Sequence, residues 1–222
     1  RIDEEQMNVE ITRGRSDIYD ILTHLTFIFI ESHKIKNRVL VDDGGEVSRD
    51  WQKLEQAVMQ TKKLTLVEKE KAIYWYNKRS KLGFWDQEVY ISLHRMAKLK
   101  EDLEYPQNDI LQSYMMAHES CPQRIEAIHG AISFCRRNGR NHQAYILAKH
   151  AMSMTVNKDG LFAENWIWDY GIDDEFTISC YWSGHYKEGL EVSEKLLNKI
   201  PEEQKERILK NIGYLKEKLN YK

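Results

Sequence analysis

The sequence predicts an all-α fold: a right-handed stack of antiparallel helix pairs, closed by a polar-faced helix near the C-terminus. Three observations support this prediction. Only 11 of the 222 residues are Gly and 3 are Pro, and no stretch sustains the alternation of apolar and polar residues that marks a half-buried strand. Helix start and stop signals recur along the chain. Small and aromatic residues also return at fixed offsets in successive predicted helices, as they do in helical repeat proteins.

The start and stop signals place the helices in order. Ser16 can cap a first helix to about residue 36, the turn-forming run Asp42-Asp43-Gly44-Gly45 follows, and Ser48 can cap a second helix to about residue 61. The later helices are predicted over about residues 65–81, 86–101, 108–121, 122–139, 141–155, 173–184, 185–199 and 201–219.

Local motifs strengthen several of these boundaries. Two pairs of residues have the spacing of a capping box: Thr65 with Glu68, and Ser120 with Gln123. Pro122 takes the first helical position, which proline favours. Gly139 and Gly184 mark helix ends, since glycine readily adopts the left-handed conformation that follows a helix C-terminus.

The repeat assigns small residues to helix crossings. In one unit the recurring positions hold Ala131, Cys135, Gly139, Ala144, Ala148 and Ala151. The equivalent positions 45 residues later hold Phe176, Cys180, Gly184, Gly189, Ser193 and Leu196, and those 34 residues earlier hold Ala97, Glu101, Tyr105, Ile110, Tyr114 and Ala117. The 11 residues by which 45 exceeds 34 fall in residues 157–171, which are predicted to form an irregular aromatic loop. Each unit is therefore a helix hairpin, which buries its apolar face only by stacking on its neighbours.

Six segments between Ala72 and about Tyr214 carry the most specific pattern. They are Ala72–Arg79, Gly83–Tyr90, Ala144–Ala148, Leu161–Glu164, Ile178–Gly184 and Glu188–Leu190. In these segments the chain resembles tetratricopeptide-like repeats and, more closely, the helical repeat region that follows the catalytic domain in some family 2 glycosyltransferases. The resemblance implies a tetratricopeptide-like α-α superhelix with a C-terminal capping helix. It also implies an accessory role in glycan synthesis.

The first 60 residues have a different pattern. Arg1–Met7 and Arg13–Leu25 resemble, more weakly, part of an uncharacterised bacterial helical family. We therefore predict two parts: an N-terminal helical segment over residues 1–60, which could be a fragment or a fused piece, and helical repeats over residues 61–222. The sheet-rich nucleotide-sugar domain of family 2 glycosyltransferases has no counterpart in either part of the sequence.

Motifs that carry catalysis are missing from the sequence. There is no GxSxG, P-loop or GxGxxG pattern, the three cysteines form no CxxC pair, and the eight histidines include no pair spaced four residues apart. Val41-Asp42-Asp43-Gly44 resembles the nucleotide-contacting motif of family 2 glycosyltransferases, but it follows a predicted helix rather than a strand and is interpreted as a turn. We expect no catalytic residues, no metal site and no cofactor, and therefore no enzyme in this chain; a longer parent protein could still carry a glycosyltransferase domain.

Composition limits the partners and the location. The formal net charge is −2, which gives no signal for nucleic-acid binding. No apolar run approaches the roughly 20 residues of a membrane-spanning helix. An odd number of cysteines without motif spacing is typical of a reducing compartment. We therefore expect a cytoplasmic protein that binds neither nucleic acid nor, through a spanning helix, a membrane.

Aromatic residues around the predicted turns indicate a binding surface, since aromatic anchors dominate protein interfaces. The candidate partner-binding residues are Trp85, Tyr90, Glu164, Trp166, Trp168, Asp169, Tyr170, Trp182 and Tyr186. The aromatic loop could instead fold back on the stack, anchored by Leu161 and Phe162. We predict a non-catalytic helical-repeat scaffold that binds a protein partner or self-associates. The alternative is an accessory module of a glycosyltransferase system, which positions the catalytic domain or contacts the acceptor glycan.

Overall fold

The computed structural model describes residues 66–83 and 85–220, without the side chain of Glu68. These residues form helices and connecting turns with no strand among them, so the predicted all-α class is confirmed for this part of the chain. The helices are α1 (Leu66–Leu82), α2 (Asp86–Asp102), α3 (Gln107–Ser120), α4 (Glu126–Arg137), α5 (Asn141–Met152), α6 (Ile172–Ser183), α7 (Tyr186–Leu196) and α8 (Glu202–Asn220). The predictions that lie outside the described residues are the helices from Ser16 and Ser48, the turn at residues 42–45, the capping box of Thr65 and Glu68, and the domain boundary near residue 60.

The chain divides into two compact units between Tyr105 and Pro106. In the first unit, the short connection between α1 and α2 makes them an antiparallel pair that packs along its length. In the second unit, each helix from α3 to α8 packs against the next one in the chain. The sequence predicts this arrangement, in which successive helices pack against each other. No helix in the described ranges is both long and apolar enough to cross a membrane.

An arginine closes the hairpin of the first unit. The Arg79 guanidinium is buried, donates to the backbone carbonyl of Gly83 at 3.1 Å and pairs with Glu88 near the start of α2. At the other end of the pair, the Tyr105 hydroxyl donates to Glu70 at 2.8 Å. These polar contacts fix both ends of the two helices relative to each other.

The second unit buries a core between α4, α5 and α6. Its members are Ile125, Ile128, Ile132, Cys135, Ala144, Tyr145, Ala148, Ala151, Ile167, Ile172, Phe176 and Cys180. Small residues of the repeat, Cys135, Ala144 and Ala148, are completely buried there. A second cluster at α7 and α8 contains Leu196, Ile200, Ile208 and Ile212. The burial of the small positions agrees with their assignment to helix crossings.

Both predicted helix-ending glycines have the expected backbone. Gly139 has φ +71° and Gly184 has φ +84°, values in the left-handed region. The backbone N–H after each glycine reaches back to the helix: Arg140 donates to the Cys135 carbonyl and His185 to the Cys180 carbonyl, both at 2.9 Å. This hydrogen bond is the one that closes a Schellman motif, so the two helix ends are confirmed.

The predicted capping box of Ser120 and Gln123 is wrong. Ser120 is the last residue of α3, and its hydroxyl donates to the Ala117 carbonyl at 2.7 Å instead of capping a following helix. Proline pushes the preceding residue out of the helical region, and Cys121 accordingly has φ −151° and ψ 76°. Pro122 therefore ends α3 rather than opening α4, which begins at Glu126.

The predicted irregular loop at residues 157–171 is wrong over its last five residues. Ile167–Gly171 form a π-helical segment that continues directly into α6 at Ile172. Ile167 in this stretch and Ile172, the first residue of α6, are both buried in the core of α4, α5 and α6. Burial of these two residues therefore orders backbone for which the sequence shows no helix signal.

The start of α6 also differs from the prediction. Asp173 and Asp174 lie inside its first turn and do not cap it. Lys199 donates to the Asp173 carboxylate at 2.7 Å, and Arg207 donates to both carboxylate oxygens of Asp174 at 2.9 Å. The two acids thus connect α6 to the chain that follows α7 and to α8.

Helix α8 has the predicted polar outer face. Ile208, Ile212 and Leu215 are buried on one side. Charged side chains occupy much of the remaining surface, where Lys210 pairs with Glu206 at 2.8 Å. The arrangement is that of a helix which covers the apolar side of its neighbour and presents polar groups to water.

We expect Ala144→Leu and Ala148→Leu each to lower the free energy of unfolding of the second unit by about 1–3 kcal/mol, because extra methylenes in a filled core force neighbours to move. Both alanines are completely buried. Urea denaturation of the two variants measures the effect. Ile146→Leu is the control, since Ile146 lies in the same helix but is 64% exposed. Equal midpoints for all three variants and the parent chain would contradict the assigned helix crossing.

Candidate functional site

The structure distributes the nine predicted site residues over three places. Trp85 and Tyr90 belong to the first unit. Glu164, Trp166, Trp168, Asp169 and Tyr170 lie in and before the π-helical segment, and Trp182 and Tyr186 flank the turn between α6 and α7.

In the first unit only one of the two aromatic residues is available to a partner. Trp85 precedes α2 and is 48% exposed, whereas Tyr90 is completely buried. The Tyr90 ring lies 5.9 Å from that of His94 in the same helix. Tyr90 is therefore a core residue, which its position one turn beyond the helix start did not reveal in the sequence.

A buried ion pair holds the segment before α6 on the helices. Arg124 donates to both carboxylate oxygens of Glu126, at 3.0 and 2.9 Å, and to the Leu161 carbonyl at 3.0 Å. The Glu164 backbone N–H donates to Glu126 at 3.1 Å. Burial disfavours the charged form of Glu126, but the hydrogen bonds and charge of Arg124 outweigh it and keep the pKa of this carboxyl below its ordinary value. Sequence reasoning missed this pair, whose only signal is two opposite charges within an apolar stretch.

The aromatic residues that follow are largely used in packing. Trp168 packs against the core of α4, α5 and α6, and Tyr170 packs against the cluster at α7 and α8. The Trp166 ring lies 5.2 Å from His129 and 5.6 Å from Tyr170, and remains 40% exposed. The segment thus folds back on the helices, with Trp166 as its exposed aromatic residue.

The acidic neighbours in this segment also have partners within the unit. The Glu164 carboxylate accepts a hydrogen bond from the Trp166 indole N–H at 3.3 Å, and Asp169 pairs with Lys158. These contacts partly neutralise the acidic side chains of the segment. Its attraction for a basic partner is therefore reduced.

We expect Trp168→Ala to lower the free energy of unfolding by about 2–3 kcal/mol, since removing a packed Trp side chain leaves a cavity. Trp166→Ala should cost less, because its ring is partly in water. Thermal melts of the two single variants measure the difference. A larger loss for Trp166→Ala would contradict the packing described for Trp168.

The second unit has a groove between α6 and α8. Its lining residues are Thr177, Ile178, Tyr181, Trp182, Asn211, Tyr214 and Leu215, and its volume is about 240 Å³. Thr177 and Leu215 are buried and form the floor. Trp182 and Tyr214 are 61% and 53% exposed and form the walls. We call this feature the aromatic groove.

Tyr181 is at the centre of the aromatic contacts. Its ring lies 5.2 Å from Trp182, 6.0 Å from Tyr186 and 6.4 Å from Tyr214. Sequence reasoning placed Trp182 and Tyr186 in the site but missed Asn211 and Tyr214. One sequence signal could have found these two residues: Arg207, Asn211 and Tyr214 have the spacing of residues on one face of a helix, here α8.

The polar groups of the aromatic groove are neutral. The Trp182 indole N–H, the Asn211 amide and the hydroxyls of Tyr181 and Tyr214 make no hydrogen bond to any other described residue. The Thr177 hydroxyl, in contrast, donates to the Asp174 carbonyl at 2.9 Å. The groove therefore offers aromatic faces together with polar groups that make no hydrogen bond within the described part of the chain.

The buried thiols are unsuited to nucleophilic chemistry. Cys135 and Cys180 are completely buried. Burial raises the pKa of the Cys135 thiol and raises the pKa of Cys180 to about 12. Since the thiolate is the reactive form, both residues act as small apolar side chains in the core.

A polar cluster connects α5 to the start of α7. Lys149 donates to the Tyr145 hydroxyl at 2.9 Å and to Glu188 at 3.0 Å, and the His185 ring stacks on Tyr145 at 3.8 Å. Hydrogen bonds to Tyr145 and Glu188 raise the pKa of Lys149. These contacts join the side chains of α5 to those at the start of α7.

The histidines do not assemble a metal site in the described part of the chain. The rings of His118 and His150 lie 5.7 Å apart, and burial together with His150 lowers the pKa of His118. No group of three or more His, Cys, Asp or Glu side chains converges anywhere in residues 66–83 or 85–220.

The aromatic groove is thus suited to recognition through ring faces and neutral polar groups, on two helices that the Asp174–Arg207 ion pair connects. Its lining includes no charged side chain. Comparison of the chain with protein-family models, with curated proteins and with solved structures found no match in any of the three.

Proposed function

We propose that this chain is a non-catalytic helical-repeat scaffold that binds a protein partner through the aromatic groove. The observation that carries the proposal is the exposure of Trp182 and Tyr214, 61% and 53%, at the walls of one concave surface. Large aromatic side chains are enriched among the residues that dominate binding energy at protein interfaces. Placed side by side in a groove, they offer a partner a large apolar area.

The helices that carry the groove are held in place before any partner binds. The cluster of Leu196, Ile200, Ile208 and Ile212 packs α7 against α8. The ion pairs of Asp173 with Lys199 and of Asp174 with Arg207 add contacts between α6 and the chain that follows α7. Pre-organisation of this kind reduces the entropy that binding would otherwise cost.

The chemistry of the second unit supports binding rather than catalysis. The thiols of Cys135 and Cys180 are buried with raised pKa values, and Lys149 is held in its charged form by Tyr145 and Glu188. We propose a separate protein as the partner, with self-association as the other form of the same scaffold role.

Photocrosslinking followed by reconstitution tests this proposal. A photoreactive amino acid at position 182 should capture a protein in the cells that produce the chain, and the captured protein is then purified and its affinity measured. We expect Trp182→Ala and Tyr214→Ala each to weaken binding at least tenfold, which corresponds to about 1.4 kcal/mol. Sedimentation of the parent chain over a range of concentrations tests self-association.

Tyr74→Ala is the matched control, because Tyr74 is comparably exposed, lies in the other unit and is not among the candidate partner-binding residues. Its affinity for the purified partner should equal that of the parent chain. A partner that binds the Trp182→Ala variant as tightly as the parent chain would remove the groove from the proposal. A chain that neither captures a protein nor self-associates would overturn the scaffold role itself.

A further inference from the structure

We propose that protonation of the His118–His150 pair in mildly acidic solution releases α3 from the rest of the second unit. His118 lies in the last turn of α3 and His150 in the last turn of α5. The aromatic groove, in contrast, lies between α6 and α8. The release of α3 is therefore a property of the fold that does not depend on the proposed binding role.

The His118 side chain is buried in surroundings that favour its neutral form. It is 7% exposed, and its ring N–H donates to the backbone carbonyl of Arg124. A neutral imidazole has one N–H, and this hydrogen bond uses it. The Nδ1 atom is also buried and has no hydrogen-bond partner among the described residues. A second proton would therefore lie on a buried nitrogen that no acceptor faces, which is unfavourable.

Ionisable groups surround His118 on several sides. The His150 ring on α5 lies 5.7 Å away, edge to face, and a proton on one ring repels a proton on the other. Glu119 in α3 and the Arg124 carbonyl favour the charged form, but burial and His150 outweigh them and lower the pKa of His118. At the start of α4 the Arg124 guanidinium pairs with Glu126, so these two charges compensate each other.

The sign of the pH dependence follows from this lowered pKa. An exposed histidine has a pKa of about 6.5, so a form in which α3 is open takes up the proton more readily than the closed form does. The contribution of His118 to the closed form is complete above pH 6.5 and is lost as the pH falls through the lower pKa of the buried ring. Each proton taken up changes the ratio of closed to open forms by at most about tenfold per pH unit.

The contacts of α3 explain why this helix is the element that opens. Within the second unit α3 packs along α4, and the Tyr114 ring lies so close to Gly130 that it leaves no room for a Cβ atom there. His118 lies one helical turn beyond Tyr114 on the same side of α3. Charging His118 favours a form in which this side of α3 meets water, so Tyr114 and the surface around Gly130 become exposed.

Hydrogen exchange of the full chain at pH 7.5 and pH 5.5 tests this proposal, with each rate divided by that of the unfolded chain at the same pH. We expect the protection of the α3 amides to fall about threefold to tenfold between the two pH values, while the protection of α6 stays constant. His118→Gln retains a side-chain N–H for the Arg124 carbonyl but takes up no proton, so its α3 should be equally protected at both pH values. His150→Gln removes the neighbouring charge and should reduce the fall to less than about threefold.

His142→Gln is the matched control, because His142 is also an exposed histidine of α5, and its α3 should lose protection as in the parent chain. Constant protection of α3 in the parent chain would overturn the inference, as would an unchanged fall in His118→Gln. If His118→Gln does not fold, the variant at the exposed His150 decides, since an unchanged fall there excludes the pair. Equal losses in α3 and α6 would indicate unfolding of the whole unit and would exclude the release of α3 alone.

Discussion

Replacing Arg124 with Met is expected to lower the free energy of unfolding of the second unit by about 3–5 kcal/mol, the cost of removing one partner of a buried ion pair. Arg124 and Glu126 are 1% and 4% exposed. The substitution leaves the Glu126 carboxylate buried with the Glu164 backbone N–H as its remaining donor from the loop. Urea denaturation followed by circular dichroism measures the loss.

A second effect of this variant is local. Arg124 also donates to the Leu161 carbonyl, so the segment around Leu161 loses both its direct contact and the Glu126 side chain that Arg124 orients. Hydrogen exchange of residues 157–166 should therefore accelerate more than exchange in α7. The double variant Arg124→Met, Glu126→Met should recover part of the stability, because it leaves no buried charge without a partner. Lys158→Met is the control, since the pair of Lys158 with Asp169 is half exposed and surface pairs contribute about 0–1 kcal/mol.

The effect of Arg124→Met should depend on pH. In the parent chain the pKa of Glu126 is below its ordinary value of 4.5, so its contribution to stability is present above that value and is lost as the pH falls through the lower folded pKa. In the variant, burial acts without Arg124 and raises the pKa of the same carboxyl, so its penalty is greatest at neutral pH. The difference in stability between the two chains should therefore narrow as the pH falls, first through the raised pKa of Glu126 in the variant and then, below pH 4.5, towards the lowered pKa in the parent chain. A constant difference from pH 7 to pH 3.5 would contradict this account.

The helices of the described residues, and the two helix ends at Gly139 and Gly184, could be predicted from sequence because their signals are local. Gly139 and Gly184 adopt the left-handed backbone that a helix end requires. Ala144 and Ala148 were assigned to a helix crossing from their spacing alone, and both are buried. Signals of this kind depend on neighbours within one or two helical turns, and they are visible in a single chain without tertiary information.

The candidate site could be predicted only in part, because it depends on contacts that are distant in sequence. Trp182 and Tyr214 share a groove although they are 32 residues apart, since packing of α7 between them in the chain brings α6 and α8 together. In the sequence, Trp85 and Tyr90 are both aromatic residues near the same turn. Their different burial, which only the structure shows, distinguishes them. The π-helical segment at Ile167–Gly171 likewise follows from core packing that no local pattern indicates.

Gly189→Leu is expected to lower the free energy of unfolding of the second unit by about 3 kcal/mol, at the upper end of the range for overpacked cores. A Cβ atom at Gly189 would lie 2.8 Å from the Cβ of Cys180 and 3.2 Å from a terminal carbon of Leu215. The Cβ of Cys180 is attached directly to the backbone of α6, so it cannot rotate away and α6 itself must move. The gain in helix propensity on replacing Gly, about 0.8 kcal/mol, is too small to compensate. Urea denaturation measures the loss.

Gly213→Leu is the matched control, because the same substitution there should have the opposite sign. Gly213 also lies inside a helix, but a Cβ at this position meets no atom within 4 Å. The substitution then changes only the helix propensity of this position, and the gain should stabilise the unit by about 0.5–1 kcal/mol. Because Leu215 forms part of the floor of the aromatic groove, Gly189→Leu should also displace that floor, whereas Gly213→Leu should leave it unchanged. Equal stability of the two variants would show that α6 and α7 do not approach as closely as this packing requires.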